Sequence, residues 1–118
     1  MLWLPDTRSH RVDFVSPKLY AQCQKLKEGP TEEQELYLTL QEAIQELKKN
    51  PSCGIRVGSR LWPKEYARLG ITNLRKYDLP HGWRLIYTLT GDKIEIMAII
   101  LEWMSHKQYE KRFGYKVG

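Results

Sequence analysis

Residues 93–103 read KIEIMAIILEW, and this stretch decides the fold. Successive side chains of a β-strand point to opposite faces of the sheet. Both sets are apolar here: Ile94, Ile96, Ala98 and Ile100 on one face, Met97, Ile99 and Leu101 on the other. A strand with two apolar faces is typical of the interior of a sheet, where it has a neighbour along each edge. The rest of the chain therefore has to supply two neighbouring strands.

One neighbour is predicted directly upstream. Residues 73–79 and 83–89 have strand patterns, and turn sequences at 80–82 and 90–92 separate them from each other and from the last strand. Three strands joined by tight turns form an antiparallel meander.

The other neighbour is predicted near the start of the chain. In residues 11–15, Val12 and Phe14 alternate with Arg11 and Asp13, which suits a short strand. Since two helices separate this strand from the meander, the pattern predicts a parallel pairing with residues 93–103.

Two long helices are predicted between these strands. Ser16-Pro17 begins the first, which runs to about Lys27. The second begins with Thr31 as the N-cap residue and Gln34 completing a capping box, and it ends before Pro51. We expect the two helices to be antiparallel.

The remaining helical signals are shorter. A brief helix is predicted at 63–69 inside a long connection, 52–72, and Ser105 with Gln108 forms a capping box for a helix that ends at Gly114. The elements together predict one α+β domain over residues 1–118. It has an N-terminal strand, two antiparallel helices on one face of the sheet, a three-stranded meander and a short C-terminal helix.

Composition limits the classes of function. The 118 residues carry a formal net charge of +5, and acidic residues concentrate between Glu28 and Glu46, so the remaining surface favours phosphate-bearing partners. No apolar run is long enough for a membrane span and no export signal is visible, which predicts a cytoplasmic protein. Cys23 and Cys53 are expected to be reduced and buried, with a disulfide between them as the alternative, and no metal site or other cofactor is predicted.

The middle strand of the meander opens with Gly82-Trp83-Arg84-Leu85-Ile86-Tyr87. With the order of elements, this motif resembles the RelE/ParE superfamily of toxins from type II toxin–antitoxin systems, which typically carry Tyr-Arg-hydrophobic-hydrophobic-Tyr there. The segment from Leu101 to Tyr109 is similar to the family's last strand, which runs into a histidine or arginine and then a tyrosine. There are departures: the connection 52–72 is longer than usual, and Arg75 and Tyr77 stand where the best-known members have two lysines.

The resemblance implies a function. The RelE branch of the family cleaves messenger RNA on the ribosome without a metal ion, and the candidate catalytic residues here are Arg84, His106 and Tyr109. Arg84 is expected to hold phosphate oxygens, His106 to accept a proton, and Tyr109 to act as an acid or base or to stack on a base. The candidate RNA-binding residues are Arg75, Tyr77, Lys107, Arg112 and Tyr115. The implied partners are mRNA, the ribosome and an antitoxin protein that covers the toxin.

Each catalytic candidate also has a structural alternative. Arg84 shares its side of the strand with Ile86 and Thr88 and equally suits a surface ion pair. His106 lies near a helix N-terminus, which disfavours a charged imidazole and suits a base, but packing of His106 and Tyr109 against the sheet fits the spacing equally well.

The aromatic and acidic neighbours of the motif have alternatives too. Trp83, Tyr87 and Trp103 suit the core better than a platform for bases, because they alternate toward the apolar side. Glu102 is expected to act as a base or to pair with an arginine.

Two other functions remain open at this point. The ParE branch of the same superfamily poisons DNA gyrase by binding, and a RelE-like chain without activity would serve as a nucleic-acid or protein-binding module. His106 and Tyr109 favour the ribonuclease, because a binding protein needs no proton transfer.

Overall fold

The computed structural model describes residues 7–114, which form an α+β fold with a five-stranded mixed sheet and four helices. The strands are β1 (Ser9–Phe14), β2 (Ile55–Arg56), β3 (Arg75–Asp78), β4 (Arg84–Gly91) and β5 (Glu95–Met104). The helices are α1 (Pro17–Lys25), α2 (Thr31–Lys49), α3 (Lys64–Arg68) and α4 (His106–Phe113). Short 3-10 turns occupy Leu26–Glu28, Ser59–Leu61 and Pro80–Gly82.

The strand order is β1-β5-β4-β3-β2, with β1 parallel to β5 and every other pair antiparallel. The predicted meander and the predicted parallel pairing are therefore confirmed. The strand β2 was missed, because two residues between glycines are too short to show an alternation. It pairs with β3 at the edge of the sheet.

Both faces of the sheet are covered, as the composition of β5 predicts. On the first face, α1 and α2 pack their apolar residues, including Cys23, Leu40 and Leu47, against Leu85 and Tyr87. On the second face, α3, α4 and the connection before β3 pack against β4 and β5. That layer contains Val57, Tyr66, Leu74, Ile86, Leu101, Met104, Tyr109 and Phe113. Adjacent residues of β4, Leu85 and Ile86, are thus fully buried on opposite faces.

A β-bulge interrupts the alternation of β5. Ile86 pairs with Glu102 and Tyr87 with Ile100, so Leu101 has no partner across the ladder. Leu101 and Glu102 consequently both lie on the second face, while Trp103 packs on the first. The bulge moves Glu102 to the face that carries α3 and α4.

Several local expectations need correction. Thr31 is not an N-cap residue, because the helix begins one residue earlier than predicted and Gln34 donates to the Gly29 carbonyl at 2.8 Å instead. Cys23 is buried as expected, but Cys53 is exposed; both thiols are free. The capping box of Ser105 and Gln108 is present, and α4 ends at Gly114 with a φ of 68°, both as predicted.

No helix within residues 7–114 has the length and apolar content that a membrane span requires.

Candidate functional site

The sheet register brings the two ends of the family-like motif together. Arg84, the first residue of β4, pairs with Met104, the last residue of β5. Only Ser105 separates Met104 from α4, so the helix begins beside Arg84. The side chains of Arg84, His106 and Tyr109 therefore meet on the second face at one end of the sheet.

A glycine makes this approach possible. Gly82 ends the turn between β3 and β4 with a φ of 79°, and a Cβ built on it would lie 3.3 Å from the Cβ of His106. A larger residue would be strained by its backbone conformation and would push against α4. Gly82 thus fits both the turn and the close contact with His106.

Arg84 is held by groups from three directions. Its Nη1 donates to the Gly82 carbonyl at 2.9 Å, its Nη2 lies 3.3 Å from His106 Nδ1, and its Nε lies 3.0 Å from an Asp78 carboxylate oxygen. The side chain is 16% exposed. Arg84 is therefore a fixed, partly exposed cation. Its geometry is compatible with both predicted roles, an ion pair and a phosphate ligand.

His106 lies between the carboxylate of Glu110 and the guanidinium of Arg84. Its Nε2 is 2.5 Å from a carboxylate oxygen of Glu110, one helical turn further on, and its Nδ1 faces Arg84. A neutral ring that donates from Nε2 to Glu110 keeps a lone pair on Nδ1, so this tautomer satisfies both contacts. The imidazole is 55% exposed, so it is not a core residue.

Tyr109 is buried, whereas its predicted roles require an accessible side chain. It is 4% exposed, and its ring stacks on Phe113 with centroids 4.6 Å apart. The Arg84 guanidinium and the Lys76 ammonium lie over the ring, at 5.7 and 5.3 Å from its centroid. Tyr109 thus supports two cations through its π face, and stacking on an RNA base is excluded in this arrangement.

Lys76 is the site residue that sequence reasoning missed. It pairs with Ile86 across β3 and β4, which places it on the same face as Arg84, and it lies 3.5 Å from Asp78. The one signal in the sequence was the short turn at 80–82, because the four residues of β3 show too little apolar contrast to indicate which face Lys76 takes. Lys76 and Arg84 form a pair of cations with Asp78 between them.

Arg75 and Tyr77 do not belong to this cluster. Arg75 pairs with Tyr87 and Tyr77 with Leu85, so both lie on the opposite face, under the long helices. Arg75 donates to the carbonyls of Gly54 and Ser52, at 2.8 and 3.1 Å, and Tyr77 packs against the first core. Because successive residues of β3 point to opposite faces, Arg75 does not converge with Arg84 as expected, and Tyr77 lies on the same face as Arg75.

Arg112 belongs to a second polar group on the other side of α4. Its guanidinium contacts Glu65 and Glu102, each at 2.8 Å, and the Tyr66 hydroxyl also donates to Glu102. Burial raises the pKa of Glu102, although the nearby Arg112 acts in the opposite direction. Desolvation lowers the pKa of Arg112, but the carboxylates of Glu65 and Glu102 outweigh it, so the pKa of Arg112 is raised. Arg112 thus ties α3 and α4 to β5.

Lys107 is exposed on α4, and Tyr115 lies outside the described residues. Trp83, Tyr87 and Trp103 belong to the first core, as predicted. No protein-family model, no curated protein and no solved structure matches this chain.

Proposed function

We propose that the chain is a RelE-like toxin, an endoribonuclease that cleaves messenger RNA without a metal ion. The observation that carries the proposal is the meeting of Arg84, Lys76 and His106 around the ring of Tyr109. Two fixed cations beside an accessible imidazole are the groups that RNA cleavage by an internal 2′-hydroxyl requires. The resemblance of residues 82–87 and 101–109 to the RelE/ParE family adds independent support.

The cations have the electrostatic task. In the reaction, the 2′-oxygen attacks the adjacent phosphorus, and negative charge grows on the two non-bridging oxygens. Arg84 offers a planar fork and Lys76 a point charge, and both are mostly withdrawn from water, at 16% and 20% side-chain exposure. Cations held in advance stabilise such charge without reorganising. The phosphate displaces Asp78, which is half exposed and occupies the same place in the free protein.

His106 has the proton-transfer task. When Arg84 Nη2 turns from His106 to the phosphate, Nδ1 is free to accept the proton of the 2′-hydroxyl, and Glu110 at 2.5 Å from Nε2 orients the ring. The bond from phosphorus to the 5′-oxygen breaks, and the ammonium of Lys76 protonates that oxygen. The products are a 2′,3′-cyclic phosphate and a 5′-hydroxyl end. Tyr109 is a positioning residue for the cations.

The partners follow from the same proposal. A RelE-like toxin acts in the cytoplasm on ribosome-bound mRNA and is held inactive by an antitoxin. A short acidic reading frame beside the gene, whose product binds this chain and relieves growth arrest, is the expected antitoxin.

The test is induced expression in a bacterial host, with translation and DNA supercoiling followed together. Wild type and the control variant Arg60→Ala, changed at an exposed arginine outside the cluster, should arrest growth and leave mRNA fragments with 2′,3′-cyclic ends. Arg84→Ala and His106→Ala should relieve the arrest. Altered supercoiling with intact mRNA would replace the proposal with gyrase poisoning, and absence of arrest in wild type would overturn both.

A further inference from the structure

The strand β1 forms one edge of the sheet. Within residues 7–114, β5 is the one strand that pairs with it. Ser9 and Val15 both donate their backbone N–H to β5, at 3.0 and 2.8 Å. Because the backbone groups of a strand alternate between its two edges, the odd-numbered residues bond β5 and the even-numbered ones point outward. The outward-pointing residues are His10, Val12 and Phe14.

This edge is long and regular. β1 has 6 residues, contains neither proline nor lysine, and keeps one register with β5 from Ser9 to Phe14 without a bulge. The opposite edge of the sheet, β2, has only 2 residues. Natural proteins commonly protect an edge with a short strand, a lysine, a proline or a bulge. An edge strand without these features is a template for pairing with another strand.

The charges of β1 select one register for pairing with a second copy of the chain. In an antiparallel pair, outward-pointing residues must lie opposite outward-pointing residues. With Val12 opposite Val12 of the second copy, each Arg11 lies opposite an Asp13. Sliding one strand by two residues would instead place Arg11 opposite Arg11, or Asp13 opposite Asp13. Since like charges directly opposite each other are destabilising, the register centred on Val12 is favoured.

The same register satisfies the outward backbone groups. Val12 pairs with Val12, and His10 pairs with Phe14 on either side of it. Each of these pairs exchanges two backbone hydrogen bonds, because both of its members point outward. A two-fold axis through the Val12 pair relates the copies, so the interface uses the same residues on both.

The side chains of Arg11 and Asp13 are available for this contact. Both residues are exposed. In the single chain, the Asp13 carboxylate accepts from the Phe14 N–H at 2.8 Å, a bond that a carbonyl of the second copy would replace. Arg11 lies 3.5 Å from Glu95, so in the pair it would stand between Glu95 and Asp13 of the second copy.

We propose that two copies of this chain pair antiparallel through β1, in the register centred on Val12, and form one continuous sheet. The inference is independent of the proposed ribonuclease. Arg84 lies on β4, and β5 separates β4 from β1, so the pairing does not involve the Arg84 cluster.

Sedimentation equilibrium of the full-length protein, from micromolar to millimolar concentrations, tests the backbone pairing. Wild type should form a reversible dimer. Val12→Pro should be monomeric, because proline removes an N–H that points to the second copy and leaves the bonds to β5 intact. Val12→Ala is the matched control: it removes more of the packing of Val12 on the first core but keeps the N–H, so it should still dimerise. Circular dichroism checks that each variant is folded.

Charge reversal tests the register. Arg11→Asp and Asp13→Arg should each weaken the dimer at least about tenfold, because both cross-strand pairs then carry like charges. An equimolar mixture of the two variants places opposite charges together again and should restore the dimer. Arg60→Asp reverses an exposed arginine outside β1 and should dimerise as wild type does.

Three outcomes would overturn the inference. A monomer at every concentration would leave the edge to a strand of a different protein. A dimer that persists in Val12→Pro would place the interface elsewhere, and a mixture of the charge variants that stays monomeric would exclude the register. Growth arrest reports the proposed ribonuclease and sedimentation reports the dimer, so the two proposals fail separately.

Discussion

Tyr87 is the last residue of the motif that contains Arg84, but its side chain lies on the opposite face of the sheet. Its side chain is fully buried, and its hydroxyl donates to the Pro51 carbonyl at 2.8 Å and accepts from the Gly54 N–H at 2.9 Å. Tyr87→Phe keeps the ring and removes both bonds. Each bond contributes about 1 kcal/mol net, and the buried Gly54 and Pro51 groups lose their partner, so the expected loss is about 2–3 kcal/mol.

Urea denaturation at pH 7, followed by circular dichroism, measures this loss. Tyr20→Phe is the matched control, because Tyr20 is 51% exposed and should change stability by less than about 0.5 kcal/mol. Under the proposed function, RNA cleavage by Tyr87→Phe, measured well below its melting temperature, is expected to equal that of wild type. A similar loss in both variants would refute the structural role of the hydroxyl.

The same variant has a distinctive pH dependence. Burial raises the pKa of Tyr87 from 10.0 to about 12, so the unfolded chain releases this proton before the folded protein does. Wild-type stability therefore falls as the pH rises from about 10 to about 12, by up to about 3 kcal/mol, and Tyr87→Phe lacks this contribution. The stability gap between the two proteins should close over that window. A gap that stays constant from pH 9 to 12 would contradict the assignment.

Three further outcomes are expected. Glu102→Gln should gain stability relative to wild type as the pH rises above 4.5. Burial raises the pKa of Glu102, so the folded protein binds this proton more tightly than the unfolded chain, and the wild type loses stability when the proton is released. Urea denaturation from pH 4 to 7 measures the difference. Asp78→Asn, which removes the anion between Lys76 and Arg84, should bind single-stranded RNA about threefold more tightly at low salt in fluorescence anisotropy, an effect lost at high salt. Ser105→Ala removes the N-cap of α4 and should cost about 1 kcal/mol in urea denaturation, whereas loss of less than half that value would indicate that tertiary contacts alone hold the helix start.

The candidate site was only half predictable. Arg84 and His106 were identified from motif and helix cap, and the structure brings them together because Arg84 and Met104 are ladder partners. Lys76 was missed and Arg75 misplaced, since a four-residue strand carries too little apolar contrast to set its alternation. Local spacing likewise left the orientation of Tyr109 open, and the stack with Phe113 buried it.

The sequence by itself determined the α+β class, the meander and the central position of β5. These depend on which residues are apolar and at what period, and the hydrophobic effect acts on that pattern wherever the chain folds. Tertiary structure alone decided which charges meet. The bulge at Leu101 moved Glu102 to Arg112, the register placed Lys76 beside Arg84, and β2 set Arg56 against Arg75. Such pairings depend on strand register, which a shift of one residue reverses, so no local pattern of charges could specify them.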